Sequence, residues 1–124
     1  MRLLKGGGKM TDCIFCRIAS KELASTAVYE DDSVIAFKDL EPQAPIHLLI
    51  IPKKHIKSIL DLKEADKELV AHIHVDVIPK LAQELCLSEK GCRIVVNMGA
   101  EGGQTVGHLH FHLLGGRFMK WPPG

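Results

Sequence analysis

His108, His110 and His112 alternate with Leu109, Phe111 and Leu113 near the end of this 124-residue sequence. In an extended chain successive side chains point to opposite faces. The spacing therefore sends three imidazoles one way and three apolar side chains the other, into a core. Neighbouring imidazoles along such a strand stand about 6.5–7 Å apart. Imidazole titrates near neutral pH and can act as nucleophile, general acid or general base; it also binds zinc and other transition metals. The loop Met98–Thr105 runs directly into this stretch. Its Gly99, Gly102 and Gly103 permit close backbone approach to an anion, and Gln104 and Thr105 add an amide and a hydroxyl. The combination predicts a phosphate held beside imidazoles. His72 and His74 make a contrast: on an expected helix a spacing of two points side chains in nearly opposite directions. They read as surface polar residues with no shared chemistry.

Cys13 and Cys16 form a C-x-x-C pair, which in a reducing compartment reads as a metal site or a redox motif. Cys86 and Cys92 read as buried small hydrophobes. Four cysteines also allow two disulfides by count, but a chain this long folds without covalent staples. Met1–Met10 (MRLLKGGGKM) is too short and too polar after Leu4 for a secretory signal, so the expected location is cytoplasmic. Hydrophobic residues make up 46% and charged residues 25%, which suits one globular domain and not a disordered chain. Sixteen Lys+Arg against fifteen Asp+Glu leave a net charge of +1. No strong field points to nucleic acid or to an anionic membrane, and no apolar run reaches the roughly 18–20 residues of a membrane span.

Several elements must position the histidines. Residues 1–10 read as a flexible leader, with Met10 an alternative start, and 11–124 as a single domain whose tail is 115–124. Ile14–Glu22 carries a short helical pattern with Ile14, Phe15, Ile18 and Ala19 on one face. Ala27–Glu30 and Val34–Lys38, separated by Asp31-Asp32-Ser33, read as a hairpin. Asp39–Pro45 is a loop, and His47–Ile51 a buried strand between Pro45 and Pro52. A long helix is expected over Leu62–Leu85, capped by Asp61 with Glu64 in a capping box. Leu69, Ile73, Val77, Leu81 and Leu85 form its buried stripe, with a kink or break at Pro79. Cys92–Asn97 and Gly107–Leu114 are the last two strands. The fold class is α+β: a largely antiparallel sheet of about five strands, one long helix and one short N-terminal helix.

The stretch His108-Leu-His110-Phe-His112-Leu-Leu resembles the histidine triad motif, and its surroundings resemble the Hint-type purine nucleoside phosphoramidases of that superfamily. The likeness runs from Thr11 onward. It takes in Ile14-Phe15, Tyr29-Glu-Asp-Asp32, Ala36-Phe-Lys-Asp39, Pro42-Gln-Ala-Pro-Ile-His47, Ile51-Pro-Lys-Lys-His55, Val96-Asn97, Gly102-Gly-Gln-Thr105, Leu114-Gly-Gly-Arg117 and Trp121-Pro-Pro-Gly124. The resemblance implies cleavage of an amine from a purine nucleoside 5′-monophosphate through a covalent nucleotidyl-histidine, with no catalytic metal required. His110 would be the nucleophile and His112 would assist proton delivery, with His108 and His47 in support. Asn97, Gly103, Gln104 and Thr105 would place the phosphate. Asp39 would take the ribose hydroxyls, although on sequence alone it serves equally as a turn cap before Pro42. Ile14, Phe15, Ile18, Phe37 and Leu49 would sandwich the purine; without the resemblance they read as core. The resemblance further implies a homodimer with a continuous sheet, in which the tail brings Trp121 toward the partner's site. It also implies a structural zinc on Cys13, Cys16, His55 and His108.

The sequence departs from the family pattern at Leu23-Ala24, where Ile-Pro is common, and at Gly107, where an aromatic is frequent. Thr105 stands for Ser, and Pro79 interrupts the long helix. None of these removes a group that the chemistry needs. Three other readings stand beside the phosphoramidase. One is a dinucleoside polyphosphate hydrolase, one a nucleotide-binding or zinc-stabilised interaction module, and one a metallohydrolase using the triad as ligands.

Overall fold

The structure, a computed structural model, describes residues 12–124. The expected leader over residues 1–10 and the alternative start at Met10 lie outside the described residues. The elements run α1 (Ile14–Ala19), β1 (Ala27–Glu30), β2 (Val34–Lys38), β3 (Ile46–Pro52), α2 (Lys67–Ala71), a π-helical turn (His72–Val77), α3 (Ile78–Glu84), β4 (Arg93–Val95) and β5 (Phe111–Gly115). All five strands pair antiparallel in the order β1-β2-β3-β5-β4. The α2–π–α3 run forms one main helix. Among the described residues, no helix is long and apolar enough to cross a membrane.

Strand alternation builds two apolar layers. Val34, Ala36, Leu48, Ile50, Leu109, Phe111 and Leu113 join Ile73, Val77 and Leu81 of the main helix on one side of the sheet. Ile35, Phe37, Leu49 and Ile51 face the other way, against Phe15 and Ile18 of α1. The odd-numbered residues of the terminal segment therefore belong to the helix side, and the three histidines turn toward α1.

The main helix differs from its expected form. It begins at Lys67 after two short 3₁₀ turns, not at Leu62. Asp61 accepts a hydrogen bond from the Ser58 hydroxyl, whereas the Asp66 carboxylate takes the Lys63 N–H and the Lys54 ammonium. The break expected at Pro79 takes the form of the π-helical turn just before it. There the Ile78 N–H bonds the Ile73 carbonyl five residues back, and Pro79, in the first turn of α3, brings no N–H of its own.

The last strand also starts later than expected, at Phe111 instead of Gly107. Ile50 opposes Phe111, and Pro52 brings no N–H with which to extend the ladder. The segment before Phe111 is held otherwise, by a 2.6 Å bond from Leu109 N–H to the Ile56 carbonyl. β4 shortens to three residues. Cys86 and Cys92 are exposed, which corrects their reading as buried hydrophobes. Cys86 leaves the end of α3 with a positive φ of 61°, and Leu87 takes the buried place instead.

Candidate active site

On the α1 side of the sheet lies a cleft of about 500 Å³. Ile14, Phe15, Ile18, Phe37 and Leu49 form its apolar wall, and Asp39, Thr105, His110 and His112 its polar edge. The cleft also takes in Leu23, Ala24, Ser25 and Thr26, which sequence reasoning did not identify as lining residues. They form an irregular connector whose pattern has no period. Phe15 packs edge-on against both His110 (ring centroids 5.1 Å apart) and Phe37 (5.7 Å).

Backbone groups decide where each imidazole carries its proton. His110 is buried (5% exposed), and its Nδ1 donates to the His108 carbonyl at 2.8 Å. In its neutral form His110 therefore keeps its lone pair on Nε2. The Gln43 N–H donates to Nδ1 of His47 at 3.0 Å, which puts the proton of a neutral His47 on Nε2. That Nε2 lies 2.9 Å from Nδ1 of His112 and 3.4 Å from Oδ2 of Asp39. His112 accepts at Nδ1 and presents an N–H at Nε2. Burial lowers the pKa of His47 against the opposing pull of Asp39. Burial, with His110 and His47 nearby, lowers that of His112. Both are neutral at pH 7. The site thus offers one imidazole with a free lone pair beside another with a free donor; their ring centroids are 5.1 Å apart.

Asp39 serves on two sides. Oδ1 caps the turn by accepting the Glu41 N–H at 2.8 Å, while the carboxylate borders the cleft and faces His47. Asn97 is half-buried and, like Gly103 and Gln104, is not part of the cleft lining. Gln104 directs its amide into the protein backbone. Trp121 is 82% exposed on the tail, away from the cleft of its own chain.

A second cluster backs the first. Cys13, which precedes α1, Cys16 on α1, His55 after β3 and His108 bring one ligand-type atom each within 4.8 Å of one another. Sγ of Cys13 and of Cys16 lie 3.3 and 3.5 Å from His108 Nδ1, and Cys16 Sγ lies 3.1 Å from His55 Nδ1. Tetrahedral zinc with ordinary Zn–S and Zn–N bonds sets such atoms about 3.5 Å apart. The chemistry agrees with the distances. His108 is fully buried and donates from Nε2 to the Pro52 carbonyl at 2.8 Å, and burial pushes its pKa down to about 4. A neutral ring with its lone pair aimed at two sulfurs results. These four residues fit a structural zinc ion. Asp39, His47 and His112 also bring ligand-type atoms within 4.8 Å. There, however, the lone pair of His47 is spent on the Gln43 N–H.

Outside both clusters, His72 bridges Asp31 (2.6 Å) and Asp76 (2.8 Å), while His74 bonds the Val70 carbonyl. The two histidines share no partner, as their spacing implies.

Comparison with known proteins gives one consistent relationship. A family model described as "Scavenger mRNA decapping enzyme C-term binding" matches residues 12–121. An uncharacterized HIT-like protein of Synechococcus elongatus is 49% identical over 113 residues, 91% of this chain and 97% of that protein. A 14 kDa zinc-binding protein of Brassica juncea is 45% identical over 119 residues, covering 91% and 100% of the two chains. Among solved structures, a HIT family hydrolase from Legionella pneumophila superposes with a TM-score of 0.88 at 55% identity, over 90% of this chain and 99% of that one. A histidine triad protein from Clostridium difficile gives 0.86 at 49% identity, over 90% and 96%. With nearly its whole described length matched by the family model and by these HIT proteins, the chain belongs to the histidine triad (HIT) superfamily.

Proposed function

We propose that the protein is a nucleotide hydrolase that cleaves purine nucleoside 5′-monophosphoramidates through a covalent intermediate on His110. One observation carries this reading: the bond from His110 Nδ1 to the His108 carbonyl leaves the Nε2 lone pair free on a ring that borders the cleft. In the first step Nε2 attacks the α-phosphorus, and the phosphorus–nitrogen bond breaks toward the amine. The leaving nitrogen, protonated from solvent and held by a hydrogen bond from Nε2–H of His112, departs as the neutral amine with the electron pair. Water then attacks the same phosphorus, gives its proton to solvent and releases the nucleoside monophosphate from His110, whose ring returns to its neutral form. The apolar wall of Ile14, Phe15, Ile18, Phe37 and Leu49 suits a flat purine, and the Asp39 carboxylate at the cleft border suits ribose hydroxyls. Thr105, which borders the cleft with His110 and His112, would meet a phosphate oxygen. His47 holds His112 in its donor tautomer.

The same reading includes a zinc ion on Cys13, Cys16, His55 and His108 as a structural element, supported by the donor geometry and by the name of the Brassica relative. It also includes a homodimer: β4 stands at a sheet edge, and Phe118 and Trp121 are exposed on the tail. Free thiols suited to a metal fit a reducing, cytoplasmic setting.

The test is a mass-spectrometric trap with adenosine 5′-phosphoramidate. A single adenylate adduct mapping to His110, absent in His110→Ala, is the expected result. Turnover that persists in His110→Ala, or an adduct on another residue, overturns the reading. The name of the matching family model points to phosphoanhydride cleavage, so diadenosine polyphosphate is the comparison substrate. Faster turnover of that compound would favour the second reading.

A further inference from the structure

We propose that Gln104 is a positioning residue that clasps the Gly-rich loop and so sets Thr105 at the cleft, without itself ligating phosphate. The inference rests on the hydrolase reading for what Thr105 meets. A phosphate ligand must donate hydrogen bonds, and a glutamine amide has two N–H groups and one carbonyl. Both N–H groups are spent: Nε2 donates to the Lys57 carbonyl at 2.7 Å and to the Val106 carbonyl at 2.9 Å. Oε1 accepts the Gly99 N–H at 3.1 Å. Exchanging the amide's O and N would set an oxygen against two carbonyls, so the partners fix its orientation.

The three partners lie on three stretches of chain. Gly99 opens the loop, Val106 leads to His108, and Lys57 follows β3. The main-chain N–H of Gln104 returns to the Gly99 carbonyl at 3.1 Å, so residue 104 grips residue 99 twice. The neighbouring Ile56 carbonyl holds Leu109, and His55 belongs to the four-donor cluster. The clasp therefore ties the loop to the segment that also supports the histidines. The loop has little slack. A Cβ on Gly102 would sit 2.3 Å from the Met98 carbonyl oxygen, and Gly103 has a φ of +83°. Thr105, the next residue along, lines the cleft with His110 and His112.

Gln104→Met keeps the length and removes every side-chain hydrogen bond; Gln104→Glu keeps the acceptor and loses both donors. Both are compared with wild type, Thr105→Ala and the Gln104→Met/Thr105→Ala double variant. The readouts are calorimetric affinity for AMP and for adenosine, single-turnover rate on adenosine 5′-phosphoramidate, and amide hydrogen exchange at Gly99. In Gln104→Met, Gly99 exchange should speed up about tenfold, and the rate should fall about 10- to 100-fold with adenosine affinity unchanged. In the Thr105→Ala background the same substitution should change rate and AMP affinity by less than about twofold. Gln104→Glu should lose rate as Gln104→Met does, because the two lost donors are common to both. If Gln104→Met weakens AMP relative to adenosine as strongly without Thr105 as with it, Gln104 touches phosphate and the proposal is overturned. Wild-type protein that binds no AMP overturns the hydrolase reading instead. Gly99 exchange then still decides the clasp, and unchanged exchange in Gln104→Met overturns it.

Discussion

His108 holds His110 from behind: the carbonyl oxygen of His108 lies 2.8 Å from Nδ1 of His110, while the His108 side chain belongs to the Cys13–Cys16–His55 cluster. One residue therefore joins the metal-type site to the cleft. The link is doubled by α1, because Cys13 and Cys16 bracket Phe15, whose ring packs on both histidines. Protein loaded with zinc and protein stripped of it by a chelator should differ in two measurements. Stripped protein should melt roughly 10 °C or more lower, and its AMP affinity should fall as Phe15 loosens. Unchanged melting and affinity would separate the two sites.

The pH dependence of turnover follows from burial. His47 and His112 are both held below the ordinary histidine value, chiefly by desolvation. Protonating either breaks the chain that runs from the Gln43 N–H through His47 to Nδ1 of His112. The acid limb of the kcat/KM profile on adenosine 5′-phosphoramidate is expected below pH 6.5, with no loss between pH 6.5 and 7.5 from these groups. Gln43→Pro, which removes the donor to His47, should raise that limb and lower kcat.

Much of this arrangement is legible in the sequence, because alternation has only two outcomes. Leu109, Phe111 and Leu113 must enter the core, so His108, His110 and His112 share the other face whether or not each is paired in the ladder. The purine wall is legible only through family resemblance. Phe15, Phe37 and Leu49 have the same periodicity whether they bound a cleft or fill a core. Other features depend on tertiary neighbours. Gln104 gives no local sign that its amide will meet Lys57, 47 residues earlier. The start of the main helix turns on which acid wins a lysine and a free N–H; Asp66 takes both, and Asp61 bonds Ser58. Cys86 looks buried by type, yet it falls just past the end of α3, where the chain turns outward.

His72 ties the β1–β2 turn to the main helix and makes stability depend on pH. Its pKa is raised by Asp31 and then Asp76. Burial would raise the Asp31 carboxyl, but hydrogen bonds from Tyr29, His72 and the Ser33 and Val34 amides hold it well below the usual range. Tyr29, whose hydroxyl donates to Asp31, is pushed up to about 12 by that bond and stays neutral. The histidine contribution is fully present below its unfolded value near 6.5 and is lost as pH rises through the higher folded value. The aspartate contribution is present above its unfolded value near 3.8 and is lost as pH falls through the depressed one. His72→Gln should therefore cost most between about pH 4 and 6.5, and progressively less above pH 7. Urea unfolding of both proteins across that range checks it. A difference that grows with rising pH would show that the bridge is not charged.

Asp39 separates two jobs by atom, so two substitutions should separate them by measurement. Oδ1 accepts the Glu41 N–H at 2.8 Å and shapes the loop that carries Gln43 and leads to His47. Oδ2 lies 3.4 Å from His47 Nε2, and the residue borders the cleft. Asparagine can keep the first bond through its carbonyl oxygen but offers no charge on the other side; alanine loses both. Asp39→Ala should destabilise the fold by about 1 kcal/mol, and Asp39→Asn by less than half of that. Discrimination between AMP and 2′-deoxy-AMP should instead fall in both variants, because a ribose hydroxyl donates far more strongly to a carboxylate than to an amide oxygen. Urea unfolding reads the first job and calorimetric binding of the two nucleotides reads the second. If asparagine preserved the ribose preference, Asp39 would be a turn residue that happens to border the cleft, and sugar recognition would have to be sought elsewhere along its edge.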